Sequence, residues 1–199
     1  TFEATLGDGV LFNSTETNTA TLNYDSDPTD NAADERTYAP ETSDATITTP
    51  SPTVTKAVLE SSVDETADSA LVVGETVTYI VTINLPEGTS PLTLVDTLPD
   101  AGATLSFVSA EIRPSAANVS FSGVPGFTNA GAVTTFDFTT VTVAGTPGAT
   151  GGVIEVEITA LVEDVPAVLD GASFTNMVDL NFNGGVAEAE ATVSIIEPE

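Results

Sequence analysis

The chain contains no cysteine, no tryptophan and no histidine, and only 3 of its 199 residues are basic. Without cysteine, disulfide staples are unavailable. Without histidine or cysteine, and with no phosphate-binding glycine loop and no G-x-S-x-G, the usual catalytic constellations are missing, so the chain reads as a non-enzyme. No run of about 18 apolar residues is present, so no segment reads as a membrane-crossing helix. No secretory leader is visible, and the start at Thr1 is read as that of a processed or excised chain.

What is present is acid. Against the 3 basic residues stand 30 acidic ones, a formal charge of -27. Such a field repels phosphate, which excludes nucleic acid as a partner. It is tolerable where salt or divalent cations screen it, so the expected setting is extracellular: a cell surface or a secreted filament. Thr, Val, Ala, Gly and Asp dominate, and apolar residues show no sustained 3.6-residue period, which predicts an all-β protein. Expected strands cover 53–59, 76–84, 92–98, 104–112, 118–122, 132–143, 153–162, 173–182 and 187–196, separated by Gly, Pro, Asn and Asp turns. That number of short strands suits an Ig-like antiparallel β-sandwich.

Three polar residues interrupt apolar registers. In Thr53-Val54-Thr55-Lys56-Ala57-Val58 the only lysine of the chain shares a face with Val54 and Val58. In Leu94-Val95-Asp96-Thr97-Leu98 the carboxylate of Asp96 lies in line with Leu94 and Leu98. In the run from Phe174 to Phe182, Asn176 lies in line with Phe174, Val178 and Leu180. Each has an ordinary explanation. A lysine can snorkel to a sheet edge, Asp96 can cap the turn at Leu98-Pro99-Asp100, and Asn176 can satisfy a buried backbone group.

Together they invite another. Burial lowers a lysine pKa from about 10.4 and raises that of an aspartic acid from about 3.9, driving both toward neutral forms. A neutral amine is a nucleophile, and a protonated acid polarises a carboxamide for attack. The product is a Lys56–Asn176 isopeptide bond with loss of ammonia, Asp96 being the promoting acid.

The ordered set T-V-T-K (Thr53 to Lys56), G-E-T-V-T-Y-I-V (Gly74 to Val81), V-D-T-L-P (Val95 to Pro99) and F-T-N-M-V (Phe174 to Val178) resembles the DUF11-type surface repeats of bacteria and archaea. It also resembles the isopeptide-forming domains of Gram-positive pilins. The resemblance covers roughly residues 51–199. It implies an Ig-like sandwich carried on surface stalks, adhesins or filaments, with Lys56 as the amine, Asn176 as the amide and Asp96 as the acid. Met177 and Val178 depart from the Thr-Ala that often follows the family asparagine.

The two ends of the chain repeat one another. Glu16-Thr17-Asn18-Thr19-Ala20-Thr21-Leu22-Asn23-Tyr24 echoes Phe174 to Phe182, with Asn18 against Asn176 and Leu22 against Leu180. Ala45-Thr46-Ile47-Thr48-Thr49-Pro50 echoes the segment from Ala191 to Pro198. Residues 1–50 therefore read as the terminal strands of a preceding repeat, or as a donor segment completing another subunit by β-augmentation. Residues 51–199 read as a complete domain. Asn18 is expected to face inward, without a lysine or a D-T-L-P of its own.

Weaker candidates complete the reading. Asp25, Asp27, Asp30 and Asp34 concentrate oxygen ligands that could hold Ca²⁺, in a loop lacking the glycine and terminal glutamate of an EF-hand; otherwise no cofactor is expected. Asn13 and Asn118 head glycosylation sequons. The expected function is a structural module of a surface stalk, adhesin or filament whose partners are neighbouring copies or repeats. An adhesin binding a glycan or host-surface protein through loop 113–131 is the alternative.

Overall fold

A computed structural model of the chain describes residues 7–24, 36, 38–63, 69–145 and 151–196. Its strands are β1 (Thr15–Leu22), β2 (Glu41–Thr48), β3 (Thr53–Ser61), β4 (Ala70–Leu71), β5 (Thr76–Leu85), β6 (Gly88–Thr97), β7 (Leu105–Ile112), β8 (Val119–Phe121), β9 (Gly126–Ala130), β10 (Val133–Val143), β11 (Gly152–Val162), β12 (Ser173–Phe182) and β13 (Gly185–Ile195). A single 3₁₀ turn spans Pro99–Gly102, and no α-helix occurs among the described residues. The chain is all-β, as its composition predicts.

Strand alternation sorts the side chains. In β5, Val77, Tyr79, Val81, Ile83 and Leu85 are buried, while the residues between them are partly or fully exposed. In β11, Ile154, Val156, Ile158, Ala160 and Val162 face inward and Glu155 and Glu157 face out, where both meet Arg113. A four-stranded sheet in the order β3-β5-β11-β7 faces a seven-stranded one in which β4-β13-β12-β6-β10-β8 form the path and β9 adds to β10. The pairings are antiparallel except for the short β4 against β13. Between the sheets lie two apolar clusters. One is built on Phe136, Phe138, Ile83, Ile154 and Leu94, the other on Tyr79, Leu98, Leu105 and Phe174.

A strap from residue 7 to residue 14 docks on this sandwich. Thr89 donates its backbone N–H to Val10 at 2.8 Å, and Phe12 donates to Thr89 at 3.1 Å. The Phe12 ring is wholly buried in the first cluster. Gly88 lies beneath the strap with φ of 129°, and a Cβ there would stand 2.5 Å from the Val10 carbonyl oxygen. Only glycine accepts both that backbone angle and that approach.

Beyond the strap, β1 and β2 form a separate two-stranded ladder whose residues are all exposed. Tyr24 and Tyr38 stack at its far end with centroids 5.0 Å apart, closing the base of the long connection.

Candidate functional site

Lys56 stands on β3, an edge of the four-stranded sheet, and aims across the sandwich. It alternates with exposed Thr53, Thr55 and Ala57, so the period that buries Val54 buries Lys56 as well. Asp96 and Asn176 come from the facing sheet, where β6 and β12 are neighbours and Asp96 sits opposite Val178, the inward residue two beyond Asn176. The Lys56 and Asp96 side chains are both fully buried and form an ion pair through Nζ and Oδ2. Asn176 has no exposed surface. The three residues singled out by register are thus all interior.

The pair is held in low dielectric. Burial pushes the Lys56 ammonium below its ordinary pKa, and the nearby Asp96 carboxylate opposes that shift without cancelling it. Burial pushes the Asp96 carboxyl above the usual carboxylate range, while the Lys56 charge and hydrogen bond pull it back. Asn176 also pulls it down, though from outside hydrogen-bond geometry, since neither polar atom of its carboxamide makes a hydrogen bond. The Lys56 Nζ lies 5.0 Å from the centroid of the Tyr79 ring, within cation–π range.

Native interiors leave few buried polar groups unpaired. Four buried side-chain atoms lack a partner among the described residues: Tyr79 Oη, Asp96 Oδ1, and both Nδ2 and Oδ1 of Asn176. The Asp96 charge acts on Tyr79, and Asp96 and Asn176 stand on the paired strands β6 and β12, so the unpaired atoms belong to one neighbourhood. Chemically, it holds an amine and an acid that already share a proton, beside a carboxamide with nothing bonded to its oxygen or nitrogen.

The other expected positions fall elsewhere. Asn18 is exposed on β1, opposite Ala45. Asn13 has φ of 52° and donates through Nδ2 to the Asn183 carbonyl at 3.3 Å, while Asn118 Nδ2 donates to Gly151 at 2.9 Å. Both sequon amides therefore brace backbone. The residues Asp25, Asp27, Asp30 and Asp34 lie outside the described residues, and no cluster of three or more potential metal ligands occurs among those described. Loop 113–131 carries β8 and β9, with Val124 and Phe127 exposed.

Alternation did not single out Glu75 among the buried polar residues. Glu75 is nearly inaccessible, and its carboxylate accepts the N–H of Val72 at 2.9 Å and of Val63 at 3.3 Å, fixing the connection before β5. The alternation of β5 buries Tyr79 in the core but says nothing of its hydroxyl.

No family model matches the chain, and no curated protein does. Among solved structures, BspA_C_WT superposes with a TM-score of 0.57 at 12% identity, over 91% of this chain and 60% of that one. The C-terminal domain of the AgI/II polypeptide BspA of Streptococcus agalactiae gives 0.56 at 14%, over 79% of this chain and 54% of that one. BcpA, the major pilin subunit of Bacillus cereus, gives 0.48 at 16%, over 88% and 47%. The chain thus spans little more than half the length of the first two. At these identities the likeness to the two BspA structures is one of fold alone.

Proposed function

We propose that this chain is a structural module of an extracellular stalk, adhesin or filament, braced by a self-formed isopeptide bond between Lys56 and Asn176 that Asp96 promotes. The observation that carries the proposal is the fully buried Lys56–Asp96 pair beside an Asn176 carboxamide with no hydrogen-bond partner. An ion pair kept only for stability is a poor use of a core, because apolar replacements of similar volume do as well or better. A reactive use accounts for both the pair and the unpaired amide. Intact mass is the test: the chain is expected one ammonia short, and Lys56→Ala or Asn176→Ala restores the full value. A full mass in the unaltered chain rejects the bond and leaves the fold in place.

Within residues 1–50, in the same reading, the β1–β2 hairpin belongs to a neighbouring repeat, while the strap ahead of it docks on this sandwich. What supports this is register. Asn18 pairs with Ala45 as Asn176 pairs with Ala191, and Leu22 with Glu41 as Leu180 with Ala187. The root repeats as well: Thr49 donates to Ser14 at 2.8 Å, as Ile195 donates to Ala172 at 2.8 Å. The match is poorest at Glu16, which stands where Phe174 does. The β1–β2 ladder is thus a copy of the closing hairpin without a sandwich behind it, its inward-type residues Leu22 and Ile47 exposed at 61% and 52%. The matching partner is a sandwich short of its own last hairpin, and Asn18 would meet that repeat's lysine.

A further inference from the structure

Resting on that reading of the site, we infer that the Tyr79 hydroxyl is a fourth functional group of the crosslinking centre, donating a hydrogen bond to the Asn176 Oδ1 as it takes up negative charge.

Tyr79 sits on β5 opposite Val58 of β3, two residues along the strand from Val81, which faces Lys56. Its ring walls the Lys56 ammonium. Its hydroxyl is fully buried and unbonded, a state that costs stability, whereas phenylalanine would fill the same space without that cost. The other three unpartnered atoms of the interior belong to Asp96 and Asn176, and the Asp96 carboxylate is close enough to make the phenol harder to ionise. A donor left idle in the resting state is suited to a charge that exists only during reaction.

The step balances as follows. The proton shared by Lys56 and Asp96 moves to the acid, freeing the Nζ lone pair. Nζ attacks Asn176 Cγ, and the carbonyl electron pair moves onto Oδ1, where the Tyr79 O–H meets it. Nζ gives up one proton and Nδ2 receives one through Asp96. The Cγ–Nδ2 bond then breaks and ammonia departs, leaving an amide between the two side chains. Tyr79 ends as it began, with its proton.

Tyr79→Phe keeps the ring and removes the donor. In timed cell-free synthesis followed by intact mass, it is expected to form the ammonia-short species on the order of a hundredfold more slowly, the usual effect of losing one such donor. Its thermal midpoint, measured in an Asn176→Ala background where no bond can form, should equal or exceed that of Asn176→Ala alone. Equal rates in Tyr79→Phe and the unaltered chain overturn the inference while leaving the brace intact. Absence of the mass deficit from the unaltered chain overturns both. Replacing all 3 tyrosines with 3-fluorotyrosine supplies a variant with the ring and hydroxyl retained. Its more acidic phenol should speed bond formation, Tyr24 and Tyr38 being exposed outside the sandwich, and an unchanged rate counts against the proposal.

Discussion

Removing the Asp96 carboxylate from a chain that cannot crosslink isolates the energetics of the buried pair. In Asn176→Ala, the further change Asp96→Leu leaves the Lys56 amine fully buried without its counter-ion, since Asp96 is its only ion-pair partner among the described residues. Breaking a buried pair from one side costs about 3–5 kcal/mol. Lys56→Met in addition removes the stranded amine and fills its volume with an apolar chain, so the triple variant should recover most of that loss. The coupling between positions 56 and 96 is therefore expected at about 3 kcal/mol or more, far above the 0–1 kcal/mol of exposed pairs. Urea unfolding at pH 7 with a common m-value gives the four stabilities required. If Asp96→Leu costs under about 1 kcal/mol in that background, the Lys56 amine reaches water, and the geometry on which the crosslink rests is wrong.

Further outcomes follow from the same structure. The reactive state, neutral amine and neutral acid, carries the same number of protons as the ion pair, so the rate of bond formation should be flat across neutral pH. It should fall at alkaline pH as the shared proton is lost, and at acid pH as Asp96 protonates beside a charged Lys56, its raised pKa placing that limb above the usual carboxylate range; timed intact mass over a pH series reads both limbs. Phe12→Ala should cost about 3–5 kcal/mol by urea unfolding, because the ring is wholly buried in the sandwich core. Arg113→Ala should shift stability by under about 1 kcal/mol, its pairs with Glu155 and Glu157 being part-exposed and screened by salt. Joining the two side chains should raise the unfolding free energy by about 5 kcal/mol through a loop of roughly 120 residues, read as the difference between the unaltered chain and Asn176→Ala.

How far the sequence carried can be judged residue by residue. Lys56, Asp96 and Asn176 were legible as inward because a strand has period 2 and each sits inside an unbroken alternation. The nine long or medium strands from 53 onward were legible for the same reason, to within a few residues at their ends. β9 was missed because Gly126 to Ala130 is exposed throughout, leaving no alternation to read. β4 consists of two residues defined by their partner, Ser194 and Ile195, and not by their own pattern. The strap was invisible because its single anchor, Phe12, lies beside Gly7 and Gly9 in a segment with no period, and docks by one parallel bridge at Thr89. The unpaired state of the Tyr79 hydroxyl depends on three other strands, which no local window contains.

A tie from Lys56 to Asn176 has a definite mechanical reach. Tension entering at Thr53 would pass to β12 without loading the strands between, so β5, β6, β7, β10 and β11 would be spared. It would not spare β13, which lies beyond the tie and leaves the domain at Ile195. β13 runs antiparallel to β12 with Ser194 opposite Ser173, so a pull on its end loads the hydrogen bonds nearest that end first. The structure places extra bonds there: Ile195 donates to Ala172 at 2.8 Å, Gly171 donates to Ile195 at 2.9 Å, and β4 covers the outer edge. The same root in the β1–β2 ladder is held by the Thr49 hydroxyl, which donates to the Leu11 carbonyl at 2.7 Å and accepts the Ser14 N–H at 2.8 Å. In a chain under load the bonds strained first are therefore those at the root of each hairpin. Thr49→Val keeps the volume and deletes those bonds, so in single-molecule pulling it should lower the force at which the β1–β2 ladder opens, and leave the sandwich from β3 to β12 unextended.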